Sequence, residues 1–197
     1  VPFAKVTPSD PRHNPHQLSL HNYFIAKSLH LTAPGGTVAL LTSRYTLDAR
    51  NPSARRVIHE LGDLVGAVRL PARAFAASSG TDVVCDLLIL QRRTGHPSGA
   101  EPPWIETVPF ADSSEVSVNR WFRDHPELVV GRMDLARGMY REHELTVRSN
   151  GNLRAGLDQA LAAVLTRAHE LDLLHAPQRT NTVALAAPAS ASTVGEG

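Results

Sequence analysis

Ser43-Arg44-Tyr45 directly follows a short apolar run, Thr37 to Thr42 (TVALLT). If that run is a strand of a covered sheet, these residues sit at its carboxyl end, where open α/β sheets bind their ligands. There Arg44 either contacts a phosphate or serves the packing. Other reactive side chains offer less. Cys85 is the single cysteine, so neither an internal disulfide framework nor a cysteine-based zinc site can form. It lies in an apolar stretch and reads as an inert core thiol. The histidines show no HxH or HxxxH spacing near carboxylates that would suggest a metal site, and His59-Glu60 reads as solvated surface.

The elements that must position these residues follow from periodicity and punctuation. Residues 1–15 carry four prolines and read as a loop. From His16 to about Thr32 the i,i+4 pairs Leu20/Phe24 and Ile25/Leu29 predict a helix, ended by Pro34-Gly35-Gly36. A strand over 37–42 follows, then a helix over 52–61 between an Asn51-Pro52 start and a Gly62 stop. Strands are predicted over 64–70 and 82–91. The second is almost continuously apolar and so central. The loop 71–81 between them holds no helix, so the two should be antiparallel neighbours. Alternating helices and strands predict a layered α/β fold.

Gly95 to Pro103 is a linker by composition, and 104–150 is weakly patterned. Trp121, Phe122, His125 and Pro126 read as an anchor docking this extension onto the domain. Residues 153–174 form an amphipathic helix with Leu157, Leu161, Val164, Leu165 and Ala168 on one stripe. The domain plan is therefore 1–95, an extension 96–150, a helix 151–175, and an Ala/Ser/Thr/Pro tail 176–197 expected to be disordered.

Lys+Arg number 20 against 19 Asp+Glu, a net charge of +1, which excludes a module drawn to nucleic acid or membrane by its overall field. Any such binding must use a local patch. No apolar run approaches the roughly 20 residues of a membrane helix. No membrane partner and a cytoplasmic location are expected. The chain opens on Val1-Pro2-Phe3 without an initiator Met, as a segment from within a longer chain would.

Val1-Pro2-Phe3 resembles the last three positions of the Asn-Pro-Pro-aromatic motif of amino-group methyltransferases. One branch, the adenine-N6 DNA methyltransferases fused to large helicase-like proteins of phages, plasmids and bacterial defence regions, uses Asn-Val-Pro-Phe. Further segments resemble that branch in order: Asp10-Pro11-Arg12, Leu20 to Leu29 (LHNYFIAKSL), Pro34-Gly35-Gly36, Leu41 to Asp48 (LTSRYTLD), Arg69-Leu70-Pro71, Ala74-Phe75, Gly80-Thr81 and Phe122 to Glu127 (FRDHPE). The resemblance spans about residues 1–131. It implies the carboxyl half of a Rossmann-like sheet ending in an antiparallel β-hairpin, with the catalytic loop at the amino end of this chain and a helicase-like domain fused or associated.

The implied chemistry is methyl transfer from S-adenosylmethionine to an adenine flipped out of double-stranded DNA. The Val1 carbonyl would accept from the amine, Pro2 would stiffen the loop, and Phe3 would stack on the base. Flipping costs a few kcal/mol, and stacking returns about 1–3 kcal/mol. The Asn acceptor and the Gly-rich cofactor turn would lie upstream, so the isolated chain is expected to be inactive. His21 and Asn22 would either orient the loop or pack the helix. Lys5, Ser43, Arg44, Arg73, Gly80 and Thr81, with Arg69 close by, would line the DNA backbone. Other possibilities are transfer to another amine or amide, such as a protein glutamine or an RNA adenine, and a non-catalytic module that binds DNA or docks a protein.

Overall fold

A computed structural model describes residues 1, 6–75, 83–111, 113–137 and 143–173. The expectations for Pro2, Phe3, Lys5, Gly80, Thr81 and the tail 176–197 therefore lie outside the described residues. The chain forms a mixed α/β fold with small antiparallel sheets and a C-terminal helix.

Helix α1 (Leu20–Leu31) leads through a turn, with Gly35 at φ 77°, into strand β1 (Thr37–Ser43). A single helical turn, α2 (Tyr45–Asp48), precedes α3 (Ser53–Leu61), whose start is capped by Ser53 N donating to Asn51 Oδ1 at 2.9 Å. Strands β2 (Gly62–Arg69) and β3 (Cys85–Arg92) complete a sheet of order β1-β3-β2. β3 is central, as its apolar run predicts, and antiparallel to both neighbours, so β1 and β2 run parallel to one another. Inside α1, Ile25 and Leu29 are fully buried, whereas Phe24 is half-exposed.

The weakly patterned stretch holds two hairpins that periodicity did not reveal. Strands β4 (Thr107–Phe110) and β5 (Ser113–Asn119) form one; β6 (Arg132–Ala136) and β7 (Glu144–Arg148) form the other. Short helix α4 (Arg120–Asp124) lies between them, capped by the Asn119 side chain accepting from Trp121 N. Trp121 and Phe122 are buried against the domain, and Trp121 Nε1 donates to Ala67 O of β2 at 3.0 Å. No described helix is long and apolar enough to cross a membrane.

Helix α5 (Leu153–Glu170) docks along most of the predicted stripe, with Val164 and Ala168 buried and Leu157 and Leu161 half-buried against the core, but not along Leu165. Its buried positions are Ala160, Val164 and Ala168, while Leu165 is 53% exposed. The cause is close approach. A bulge at Val65 reverses the side-chain alternation of β2, so Gly62 faces Leu29 of α1 while Gly66 faces Val164 of α5. A Cβ on Gly66 would strike the Val164 side chain, and one on Gly156 would meet Val130 Cγ1 at 2.7 Å. Small residues at every fourth position set this contact. Gly66→Ala should therefore destabilise the fold by about 1–3 kcal/mol through overpacking. The loss should shrink strongly in a Val164→Ala background, as urea unfolding of the double-mutant cycle would show.

Candidate functional site

The site is built on charges inside the protein. Arg69 ends β2 and is fully buried; its register partner on β3 is Asp86, also fully buried. The guanidinium grips Asp86 bidentately, Nε to Oδ1 and Nη2 to Oδ2, both at 2.8 Å. Nη2 also donates to Asp48 Oδ1 of α2 at 2.9 Å, and the Arg69 guanidinium stacks 4.1 Å from the Phe122 ring centroid. Burial alone would lower the Arg69 pKa, but Asp48 and Asp86 outweigh it and push the guanidinium above its ordinary value. Burial raises the Asp86 carboxyl, against the pull of Arg69. The extension closes over this network. Asn119 N donates to Asp48 Oδ1 at 2.9 Å, Asn119 Nδ2 reaches Leu47 O and Trp104 O, and Val130 N donates to Arg69 O at 2.8 Å.

Arg55 on α3 is a second internal tie. Its Nε donates to Ile105 O at 2.9 Å and its Nη1 to Ala49 O at 2.7 Å. No carboxylate hydrogen-bonds it, and burial lowers its pKa to about 10.

Above the network, beyond the carboxyl ends of β1 and β2, lies a cavity of about 600 Å³. Among the described residues, Arg44, Arg73, Arg137 and Arg148 line it together with one carboxylate, Glu144. One wall is the domain, including Pro71 and Val84; the other is the β6–β7 hairpin, fastened by Ala72 N donating to Val147 O at 3.1 Å. Arg44 and Tyr45 reach across the join. Arg44 lies 3.4 Å from both Asp48 and Glu144, and the Tyr45 hydroxyl donates to Glu144 at 2.9 Å. A smaller space of about 260 Å³ continues past this bridge toward Ser117 and His143.

Of the residues expected at a DNA surface, the structure brings Arg44 and Arg73 into the cavity. Arg44 is nearly buried and committed to Asp48 and Glu144, so its main contact is internal. Arg73 is exposed. Ser43 is buried, with its Oγ accepting from Tyr45 N at 3.3 Å. Arg69 does not belong to the surface: drawing it to a phosphate would strip buried Asp86 of its bidentate partner and leave Asp48 to Arg44. Val1 is half-buried, its amino group donating to Leu41 O at 2.8 Å on the open edge of β1.

Among other candidates, Cys85 is buried and burial pushes its thiol up. Asn22 is buried on α1, and burial lowers the His21 pKa. His59 is half-buried rather than solvated, edge-on to Trp104 and 3.1 Å from Arg93 Nη2, because the extension covers it. Among the described residues no cluster of His, Cys, Asp and Glu is arranged to hold a metal ion. Sequence reasoning missed Arg137, Glu144 and Arg148, which lie on a hairpin without strong alternation. No known protein family's model matches the chain, and neither a curated protein nor a solved structure matches it.

Arg69→Ala strands Asp86, leaves Asp48 with Arg44 as its cation, and should cost about 3–5 kcal/mol. Arg69→Lys should recover only a small part, since an ammonium cannot fork onto one carboxylate and stack on Phe122 at once. Urea unfolding of both variants checks this. Full recovery by Lys would show that charge alone holds the network.

Proposed function

We propose that this chain is the carboxyl part of an S-adenosylmethionine-dependent methyltransferase domain acting on adenine N6 in DNA, linked to a helicase-like protein. The observation that carries the reading is the basic cavity beyond the carboxyl ends of the parallel pair β1 and β2, with Val1 hydrogen-bonded to Leu41 of β1. Open α/β sheets bind ligands at that end. The resemblance puts the catalytic loop at the same end. The parallel pair, the connecting α3 and the antiparallel β3 are also what the carboxyl half of a Rossmann-like sheet would supply.

In this reading the cofactor supplies the methyl group and sits by the first strand of the sheet, outside these residues. This chain acts on the base. An exocyclic amine is a weak nucleophile because its lone pair is delocalised into the ring. The Val1 carbonyl accepts from its N–H and favours the pyramidal, attacking form. Pro2 fixes the loop's φ, and Phe3 holds the flipped base by stacking. The basic lining of the cavity also favours a second reading, a module that binds DNA without methylating it.

Phe3 separates the two in the full-length gene product. Phe3→Ala should lower kcat/KM roughly ten- to a hundredfold through lost stacking. Phe3→Trp should lose far less, and cofactor affinity should hold in both. Unchanged kcat/KM in a folded Phe3→Ala protein would remove the base-stacking role.

A further inference from the structure

We propose that Asp10 is a positioning residue for the base-binding loop: through Tyr23 and Lys27 it fixes residues 6–19 on helix α1 and so sets where Val1-Pro2-Phe3 stands. The role rests on the methyltransferase reading above.

Asp10-Pro11-Arg12 and the α1 segment Leu20 to Leu29 have no part in that reading so far, yet the fold brings them together through three side chains. Asp10 Oδ2 accepts from the Tyr23 hydroxyl at 2.7 Å and from Lys27 Nζ at 3.1 Å. Lys27 Nζ also donates to the Tyr23 oxygen at 2.7 Å, so the three groups are mutually bonded. Tyr23 and Lys27 stand four residues apart, which puts both on one face of α1. The Tyr23 ring is buried, while the Asp10 and Lys27 side chains remain part-exposed. Hydrogen bonds from Tyr23 and then Lys27 hold the Asp10 carboxyl well below the usual carboxylate range. The cluster is therefore charged at any ordinary assay pH, and charge-assisted hydrogen bonds are the strong kind.

A second polar side chain makes residues 6–19 a unit. Asn14 is buried; its Nδ2 donates to Pro8 O at 2.9 Å and Leu18 O at 3.1 Å, and its Oδ1 accepts from Leu18 N at 2.7 Å. Asp10 joins this unit through its own backbone, with Asp10 O accepting from Asn14 N at 2.6 Å and Asp10 Oδ1 from His13 N at 3.1 Å. Its carboxylate ties the unit to the flank of α1, and a contact between the His13 and His30 rings at 5.5 Å adds to the tie.

The unit begins at Val6, whose carbonyl accepts from Leu20 N at the start of α1 at 2.9 Å. Earlier in the chain, Val1 N donates to Leu41 O of β1 at 2.8 Å. Pro2 and Phe3 thus lie in sequence between two fixed points, one on β1 and one at the start of α1. Sliding the unit along α1 moves the second point. A misplacement of about 1 Å in groups that align reactants costs roughly a hundredfold in rate.

The test uses the full-length gene product, with N6-methyladenine formation as the rate and cofactor binding followed separately by calorimetry. Asp10→Ala and Tyr23→Phe should each lower kcat about ten- to a hundredfold. Affinity for S-adenosylmethionine should hold, and the melting temperature should shift little, because Asp10 is part-exposed and Tyr23→Phe keeps the buried ring. Trypsin should cut after Arg12 faster in both variants. In a Phe3→Ala background the Asp10→Ala loss should shrink, because both changes act through the placement of the base. An unchanged kcat in both variants, whatever the rate of cleavage, would overturn the role. So would losses that multiply independently with Phe3→Ala, or that follow an equal loss of folded protein. Each of these leaves the methyltransferase reading standing when the wild type methylates adenine. A wild type that forms no N6-methyladenine would remove that reading and the role of Asp10 with it.

Discussion

A buried guanidinium with two carboxylates imposes a strict condition on its surroundings. Each ion taken out of water costs several kcal/mol unless its partners are in place, and breaking one contact leaves the others uncompensated. Arg69 meets that condition only because three separate parts of the chain converge on it: Asp86 from the central strand, Asp48 from the turn after β1, and Phe122 from the extension. Asp48 is shared again with the backbone of Asn119, and the Arg69 carbonyl with Val130. The extension is thus not free to swing away from the α/β layer. Leaving would strip hydrogen bonds from buried charged groups, and Arg55 would lose its acceptor at Ile105 as well.

That rigidity gives the cavity its character. Its floor is a neutralised network in which Arg44 and Arg69 are matched by Asp48 and Asp86. Its rim carries the exposed arginines. Buried charge holds the walls together. Because the β6–β7 hairpin is fixed through Ala72, Arg44 and Tyr45, Arg148 at the end of β7 is presented on a stiff frame. A preorganised rim of this kind loses little freedom on binding.

The sequence made the α/β layer legible because its signals are local. TVALLT between Gly-Gly and a polar turn, the continuous apolar run of β3, and the Asn51-Pro52 start of α3 each act within a few residues. The antiparallel pairing of β2 with β3 followed from a connection too poor in helix signals to cross over. The extension was opaque for the opposite reason. β4 to β7 are short and weakly alternating, held by contacts such as Trp121 to Ala67 and Asn119 to Asp48 that span more than fifty residues. The α5 stripe was legible from hydrophobicity at Leu157, Leu161, Val164 and Ala168, whereas the exposure of Leu165 and the burial of Ala160 reflect the close packing of the helix on Gly66. In the site, Arg44 was visible from its place after a strand, and Arg73 through the resemblance alone. Arg137 and Arg148 were hidden, because only tertiary folding brings their hairpin to the same end of the sheet.

The most direct test of the account is the identity of the methylated atom. Mixed-sequence duplex DNA would be incubated with the full-length gene product and S-adenosylmethionine, digested to nucleosides and analysed by mass spectrometry. The account predicts N6-methyladenine, formed only when both protein and cofactor are present. Methyl groups found on cytosine, or on protein or RNA but not on DNA adenine, would contradict it.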